Sequence, residues 1–92
     1  MLFTLICEYK GGTYTTQLPA SDPTQAFALW AEQFSREEVL TPPERHLFAG
    51  EVQYALDEAG LVAVEGLLNV WYEGFSIGEE LLEVTVVGMY AG

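Results

Sequence analysis

Residues 22–34, Asp22-Pro23-Thr24-Gln25-Ala26-Phe27-Ala28-Leu29-Trp30-Ala31-Glu32-Gln33-Phe34, decide how the rest of the chain folds. Asp22 suits an N-cap, since its carboxylate can accept a free N–H of the first turn, and Pro23 suits the first helical position. Gln25 stands where a capping box places Glu or Gln. At about 100° per residue, Ala26, Phe27, Trp30, Ala31 and Phe34 fall within an arc of about 140°. Gln25, Glu32 and Ser35 point the other way. The stretch therefore predicts an amphipathic helix, with ~2–3 kcal/mol gained for each large side chain it buries.

Working outward, residues 2–18 predict a β-hairpin turning at Gly11-Gly12, since a two-residue turn wants positive φ at both positions. That turn pairs Lys10 with Thr13, Tyr9 with Tyr14, Cys7 with Thr16 and Leu5 with Leu18. One face then carries Phe3, Leu5, Cys7, Tyr9, Tyr14 and Leu18; the other carries Thr4, Ile6, Glu8, Thr13, Thr15 and Gln17. Such alternation gives a sheet one dry and one wet side. After the helix, residues 35–40 read as a final turn or a loop. Thr41-Pro42-Pro43-Glu44 then repeats the start signal, with Thr as N-cap and Glu at the capping-box position. Phe48, Val52, Ala55, Leu56 and Ala59 share a face, and Gly60 is a natural stop. Val52, Tyr54 and Leu56 also alternate as in a strand, but length, cap and terminal glycine favour a helix. Gly50 weakens it by about 1 kcal/mol relative to Ala.

Residues 61–66 are apolar and β-branched enough to be extended, with Gly66 as a bend or bulge. Residues 67–90 predict a second hairpin with arms Leu67–Phe75 and Leu81–Tyr90. Gly78-Glu79 fits a type II′ turn and a longer loop fits equally, so the register is open. The expected fold is a single α+β domain over residues 1–92, in the order β-β-α-α-β-β. It comprises a four-stranded antiparallel sheet of two hairpins with two helices packed on one face.

Composition narrows the function. Half of the 92 residues are apolar, which supports a core without disulfides or metal and argues against disorder. Fourteen acidic residues against Lys10, Arg36 and Arg45 give a formal net charge of −11. Three scattered cations cannot build the basic patch that phosphates require, so nucleic acid and anionic membrane surfaces are disfavoured. No apolar run reaches the ~20 residues of a membrane helix, and no signal peptide is evident, so a cytoplasmic location is expected. The acidity keeps a greasy domain soluble and would also steer a basic protein partner.

No chemistry announces itself. Cys7 is the single cysteine and reads as a small buried hydrophobe, and His46 is the single histidine, without a visible nucleophile partner. Metal-ligand spacing is lacking, and the cluster Glu79, Glu80 and Glu83 beside a glycine turn, with the pairs Glu37-Glu38 and Asp57-Glu58, reads as solvated turns. No catalytic residue, cofactor or metal site is expected. The second hairpin is unusual in having no polar face. Its surplus apolar surface predicts an interface, with Leu67, Asn69, Trp71, Thr85, Val87 and Met89 as the contact residues and a twofold homodimer as the simplest form. The competing reading places Trp71 in the core. The expected function is a small acidic non-enzymatic protein-interaction module that self-associates through its C-terminal hairpin. The alternatives are an acidic antitoxin or immunity-type protein masking a basic partner, and a small-ligand-binding domain.

The run CEYKGGTYTTQLPASDPTQAFALW, within Phe3–Phe34, resembles the β-β-α opening of HicB-type antitoxins. It departs from that family in lacking a Pro-Gly-Cys-like turn after the second strand, and the residues after it carry no DNA-binding segment. The resemblance implies a toxin-like protein partner and nothing finer.

Overall fold

A computed structural model describes residues 1–89 of the chain. Strands β1 (Leu2–Tyr9) and β2 (Gly12–Pro19) are followed by helices α1 (Pro23–Phe34) and α2 (Pro42–Tyr54). Then come β3 (Val62–Ala63), β4 (Val70–Ile77) and β5 (Glu80–Met89). All pairings are antiparallel, and the sheet order is β2-β1-β5-β4-β3. The α+β class and antiparallel sheet agree with the sequence reading. The strand count does not: the extended segment after Gly60 supplies a fifth strand, as Val62 pairs Tyr72 and Ala63 pairs Trp71.

The first hairpin turns at Lys10-Gly11, not Gly11-Gly12. Lys10 (φ 51°) and Gly11 (φ 79°) take the two positive-φ positions, and Tyr9 pairs Gly12. Every expected pair therefore slips by two residues, so that Cys7 faces Tyr14 and Leu5 faces Thr16. A slip of two preserves the side-chain parity, and the dry and wet faces stay as read. Gly12 belongs to the strand because the Tyr14 ring lies over it; an added Cβ would sit 2.6 Å from the Tyr14 hydroxyl oxygen. The second hairpin uses the tight option, with Ile77 pairing Glu80 across Gly78-Glu79 and only Gly78 at positive φ. Its first arm starts at Val70 rather than Leu67, because Val64 to Asn69 turn back from β3; Tyr90, expected to end the second arm, lies outside the described residues.

Both helices begin where their caps are written. The Asp22 carboxylate accepts the Gln25 N–H at 2.8 Å, while the Gln25 side chain accepts from the N–H and hydroxyl of Ser21 instead of the N-cap N–H. At α2 the box closes both ways: Thr41 Oγ1 accepts the Glu44 N–H, and Glu44 Oε1 accepts the Thr41 N–H at 2.9 Å. The helix closes in one π turn over Ala55–Ala59, where the Gly60 N–H donates to the Ala55 carbonyl at 2.7 Å. Of the apolar residues expected on its face, Phe48 and Ala55 are buried and Val52 and Leu56 pack on the core, while the Ala59 side chain lies outside the described set.

The core lies between the helices and one face of the sheet. Phe3, Leu5, Cys7 and Tyr9 of β1 and Leu82, Val84 and Val86 of β5 form its floor. Above them runs a chain of rings: Phe27–Trp30 at 5.7 Å, Trp30–Phe34 at 5.1 Å, Trp30–Phe48 at 5.8 Å and Phe48–Phe75 at 5.8 Å between centroids. Glu44 ties α2 to the first hairpin. Its Oε2 accepts the Tyr9 hydroxyl and meets Lys10 Nζ at 2.6 Å. Lys10, Tyr9 and the Thr41 cap hold the Glu44 carboxyl down at about 2. A lowered carboxyl stabilises the fold above the ordinary carboxylate range and loses that contribution as pH falls towards 2. Glu44→Gln is therefore expected to lower the urea midpoint at pH 7, with the gap to the unaltered chain closing between pH ~4.5 and ~2. A gap that is constant across that range would break the assignment.

Candidate functional site

Both helices lie on one face of the sheet, so among the described residues nothing covers the other face. Strand pairing arranges it in rows. One row runs Gln17, Thr4, Val87, Val70; the next runs Thr15, Ile6, Thr85, Tyr72, Val62; a third runs Thr13, Glu8, Glu83, Gly74. Beyond the first row, Leu2 pairs Met89. Towards that end the face is apolar, with Val62 61 % and Met89 45 % exposed. Gln17 Nε2 donates to Thr4 Oγ1 at 2.9 Å, beside the Met89 thioether.

The third row carries charge. Glu8 and Glu83 stand directly opposite each other on the two central strands, an arrangement that like charges disfavour. The Tyr72 hydroxyl donates to Glu83 Oε2 at 3.0 Å, and burial together with the nearby Glu83 and Glu73 carboxylates pushes its proton affinity up. That hydroxyl reaches Glu83 by lying over Gly74, where an added Cβ would come within 2.5 Å of it. The sequence signal for this is a tyrosine two residues from a strand glycine, which also occurs at Gly12 and Tyr14.

The structure divides the six residues expected to form one contact. Thr85, Val87 and Met89 share the uncovered face. Trp71 lies opposite Val86 on the helix side, packed on the core with its ring 6.4 Å from Phe3. Leu67 and Asn69 belong to the loop before β4, where Leu67 is exposed and Asn69 takes φ 59° and accepts the Gly88 N–H at 2.8 Å. Val70 and Tyr72 join the face instead, because the β4–β5 register sets them opposite Val87 and Thr85, and Ile6 joins it because β1 borders β5.

Elsewhere, burial and the Glu8 charge push the Cys7 thiol up to about 12, so it stays protonated at neutral pH. His46 is exposed on α2. Among the described residues no three His, Cys, Asp or Glu side chains converge on a metal-sized site. Hollows of about 450 Å³ at the β1–β2 turn, about 230 Å³ between α1 and α2, and about 320 Å³ beside β2 lie at the surface. Two ionisable side chains keep a buried atom without a hydrogen-bond partner: Arg45 at Nε on α2, and Glu73 at Oε2 on the helix side opposite Val84. Burial raises the Glu73 carboxyl, against the opposing pull of the Gly74 N–H.

Two outcomes follow from these placements. A carboxyl raised by folding contributes stability at low pH that is lost as pH rises through its folded value. Glu73→Gln should therefore stabilise the chain by about 1 kcal/mol at pH 7 and by less in acid, read from denaturant titrations. Trp71→Ala should cost ~2 kcal/mol, less than the ~3–5 kcal/mol of a fully buried ring, while Val87→Thr should stay within about 0.5 kcal/mol. Equal costs at Trp71 and Val87 would contradict the division of faces. No family model, no curated protein and no solved structure matches the chain, so the uncovered face is the feature from which a function can be read.

Proposed function

We propose that this chain is a non-enzymatic protein-interaction module that docks a basic partner on the uncovered face of its sheet. The observation that carries the reading is the row pattern: apolar side chains from β1, β4 and β5 lie side by side without cover, bordered by Glu8 and Glu83. An apolar patch of this kind with a charged border is what protein interfaces use, the apolar part for affinity and the charges for orientation. A net charge of −11 would steer a cationic partner towards it and keep nucleic acid away.

The charges also favour one of the two expected occupants of this face. Lys10 is paired with Glu44, Arg36 with Glu32 at 3.0 Å, and Arg45 donates to the Glu37 carbonyl at 3.2 Å. Two of the three basic side chains of a second copy are thus already paired with acids and the third lies on α2, away from the sheet face, whereas a basic protein brings unpaired cations to Glu8 and Glu83. This favours the masking role over self-association through the C-terminal hairpin.

Affinity capture from the source cells with the full chain as bait tests this. A basic protein is expected to be retained at low salt and released by ~0.5–1 M salt, as screening shortens the reach of Glu8 and Glu83. Retention should be lost with Val87→Glu and weakened with the Glu8→Gln, Glu83→Gln pair. Retention indifferent to all three substitutions would place the contact elsewhere.

A further inference from the structure

We infer that the outer edge of β2 pairs with the same edge of a second copy, in an antiparallel register centred on Thr15, joining two five-stranded sheets into one. The contact is the outward backbone of β2; the side chains of Thr13, Thr15 and Gln17 sit at the margin of the uncovered face, away from its apolar residues on β4 and β5, so the pairing does not rest on the function proposed for that face.

The edge is defined by the ladder. Met1 and Ala20 exchange both backbone hydrogen bonds, at 3.0 and 3.2 Å, just beyond the Leu2–Pro19 pair. Hydrogen-bonded pairs alternate along an antiparallel ladder, so Tyr14, Thr16 and Leu18 also turn their backbone groups towards β1. Thr13, Thr15 and Gln17 therefore turn theirs outward, where no other strand lies. Among the described residues no backbone bond leaves β2 on that side.

An open row of donors and acceptors is a template for another strand, and sheet proteins ordinarily blunt it with charge, proline, a bulge or a short edge. The far edge is blunted, since β3 is two residues long. On β2 no such device appears before Pro19: the ladder is unbroken from Gly12, and residues 11–21 form the longest uncharged run of the chain. With fourteen acidic residues placed elsewhere, this is the strip along which two copies approach at the least electrostatic cost. A hollow of about 320 Å³ runs beside it, lined by Tyr14, Thr15, Thr16, Phe34, Glu37 and Val39, so side chains of an added strand would meet two rings and a valine together with hydroxyls and one carboxylate.

The sequence of β2 suits a twofold axis through Thr15. Thr15 then meets its own copy and Thr13 meets Gln17 of the copy, so each outward residue gives and accepts one backbone bond. Side chains would pair Thr with Thr and Thr with Gln, the combination that already bonds across Thr4 and Gln17 within the chain. Moving the axis to Thr16 would set Pro19, which has no N–H, opposite Thr13 and waste a bond. A foreign strand would have to supply the same uncharged alternation, whereas a second copy carries it by construction.

Sedimentation equilibrium of the full chain at about 50 μM tests the pairing, with a mass of twice 10.2 kDa expected. Because the copies carry like charge, salt should strengthen the dimer, the opposite of its effect on a basic partner. Thr15→Glu should weaken association about tenfold, with far-UV dichroism unchanged. Thr15→Cys gives a reading independent of that variant's folding, because hydrogen-bonded antiparallel pairs stand about 5.5 Å apart at Cα, within reach of a disulfide, and Cys7 is buried. Oxidation should link Thr15→Cys into covalent dimers that the unaltered chain does not form. A monomer at every salt concentration overturns the inference, as does a dimer that survives Thr15→Glu. A dimer broken by Val87→Glu and not by Thr15→Glu would assign self-association to the uncovered face instead.

Discussion

The pairing of β1 with β5 is the constraint on which the rest of the molecule depends. It runs from Leu2–Met89 to Tyr9–Leu82 and joins the two ends of the described chain in the middle of the sheet. Side chains alternate with a period of two, so this register decides which half of β5 meets the helices. Leu82, Val84 and Val86 go in with Phe3, Leu5 and Cys7, and Glu83, Thr85 and Val87 are left out. The apolar content of β5 on both faces is thereby converted into a core on one side and an uncovered row on the other. No turn holds β1 to β5; only contacts far apart in sequence do, and such pairings close late and slowly.

Two helices make a single layer, and their reach is set by where the aromatic chain can extend. Trp30 and Phe34 cover the β1 side, and Phe48 carries the contact across to Phe75 on β4. Glu44 fixes the relative position of the two parts, since one carboxylate closes the α2 cap, takes the Tyr9 hydroxyl and pairs with Lys10. A helix start and a hairpin turn are thus registered against each other by one side chain. With no third layer among the described residues, the opposite face of the sheet leaves Ile6, Val70, Tyr72 and Val87 half-buried by their neighbours alone.

Local signals were legible and long-range adjacency was not. Asp22-Pro23 and Thr41-Pro42-Pro43-Glu44 mark the helix starts because capping chemistry needs those groups at those offsets. The faces of the first hairpin survive even a misplaced turn, because a slip of two leaves parity intact. The turn itself misleads, since Gly11-Gly12 looks like the better pair until Tyr14 is seen to need the space over Gly12. Trp71 joins the core side because its parity follows the β4–β5 turn, where the glycine at Gly78 admits more than one loop length in sequence. That β1 and not β2 would border β5 has no local signal at all, and the composition of the uncovered face hangs on it.

Two of the misfits in this fold lie on the surface proposed to bind. Natural sequences agree with themselves at most levels, and the places where they do not are where function competes with stability. Glu8 faces Glu83 on central strands, where threonine pairs would serve the sheet better, and Tyr72 is stretched over a glycine to reach one of the two. Glu73, one residue along β4 and therefore on the opposite, helix side of the sheet, keeps a buried oxygen without a partner. On β2, by contrast, threonine and glutamine occupy the outward positions and no charge intrudes. A chain that kept acids merely for solubility would gain as much from placing them along that edge, where they would also guard it. Two of the fourteen acids, Glu8 and Glu83, instead face each other on the central strands while the edge is left neutral, the arrangement expected if one surface receives cations and the other its own copy.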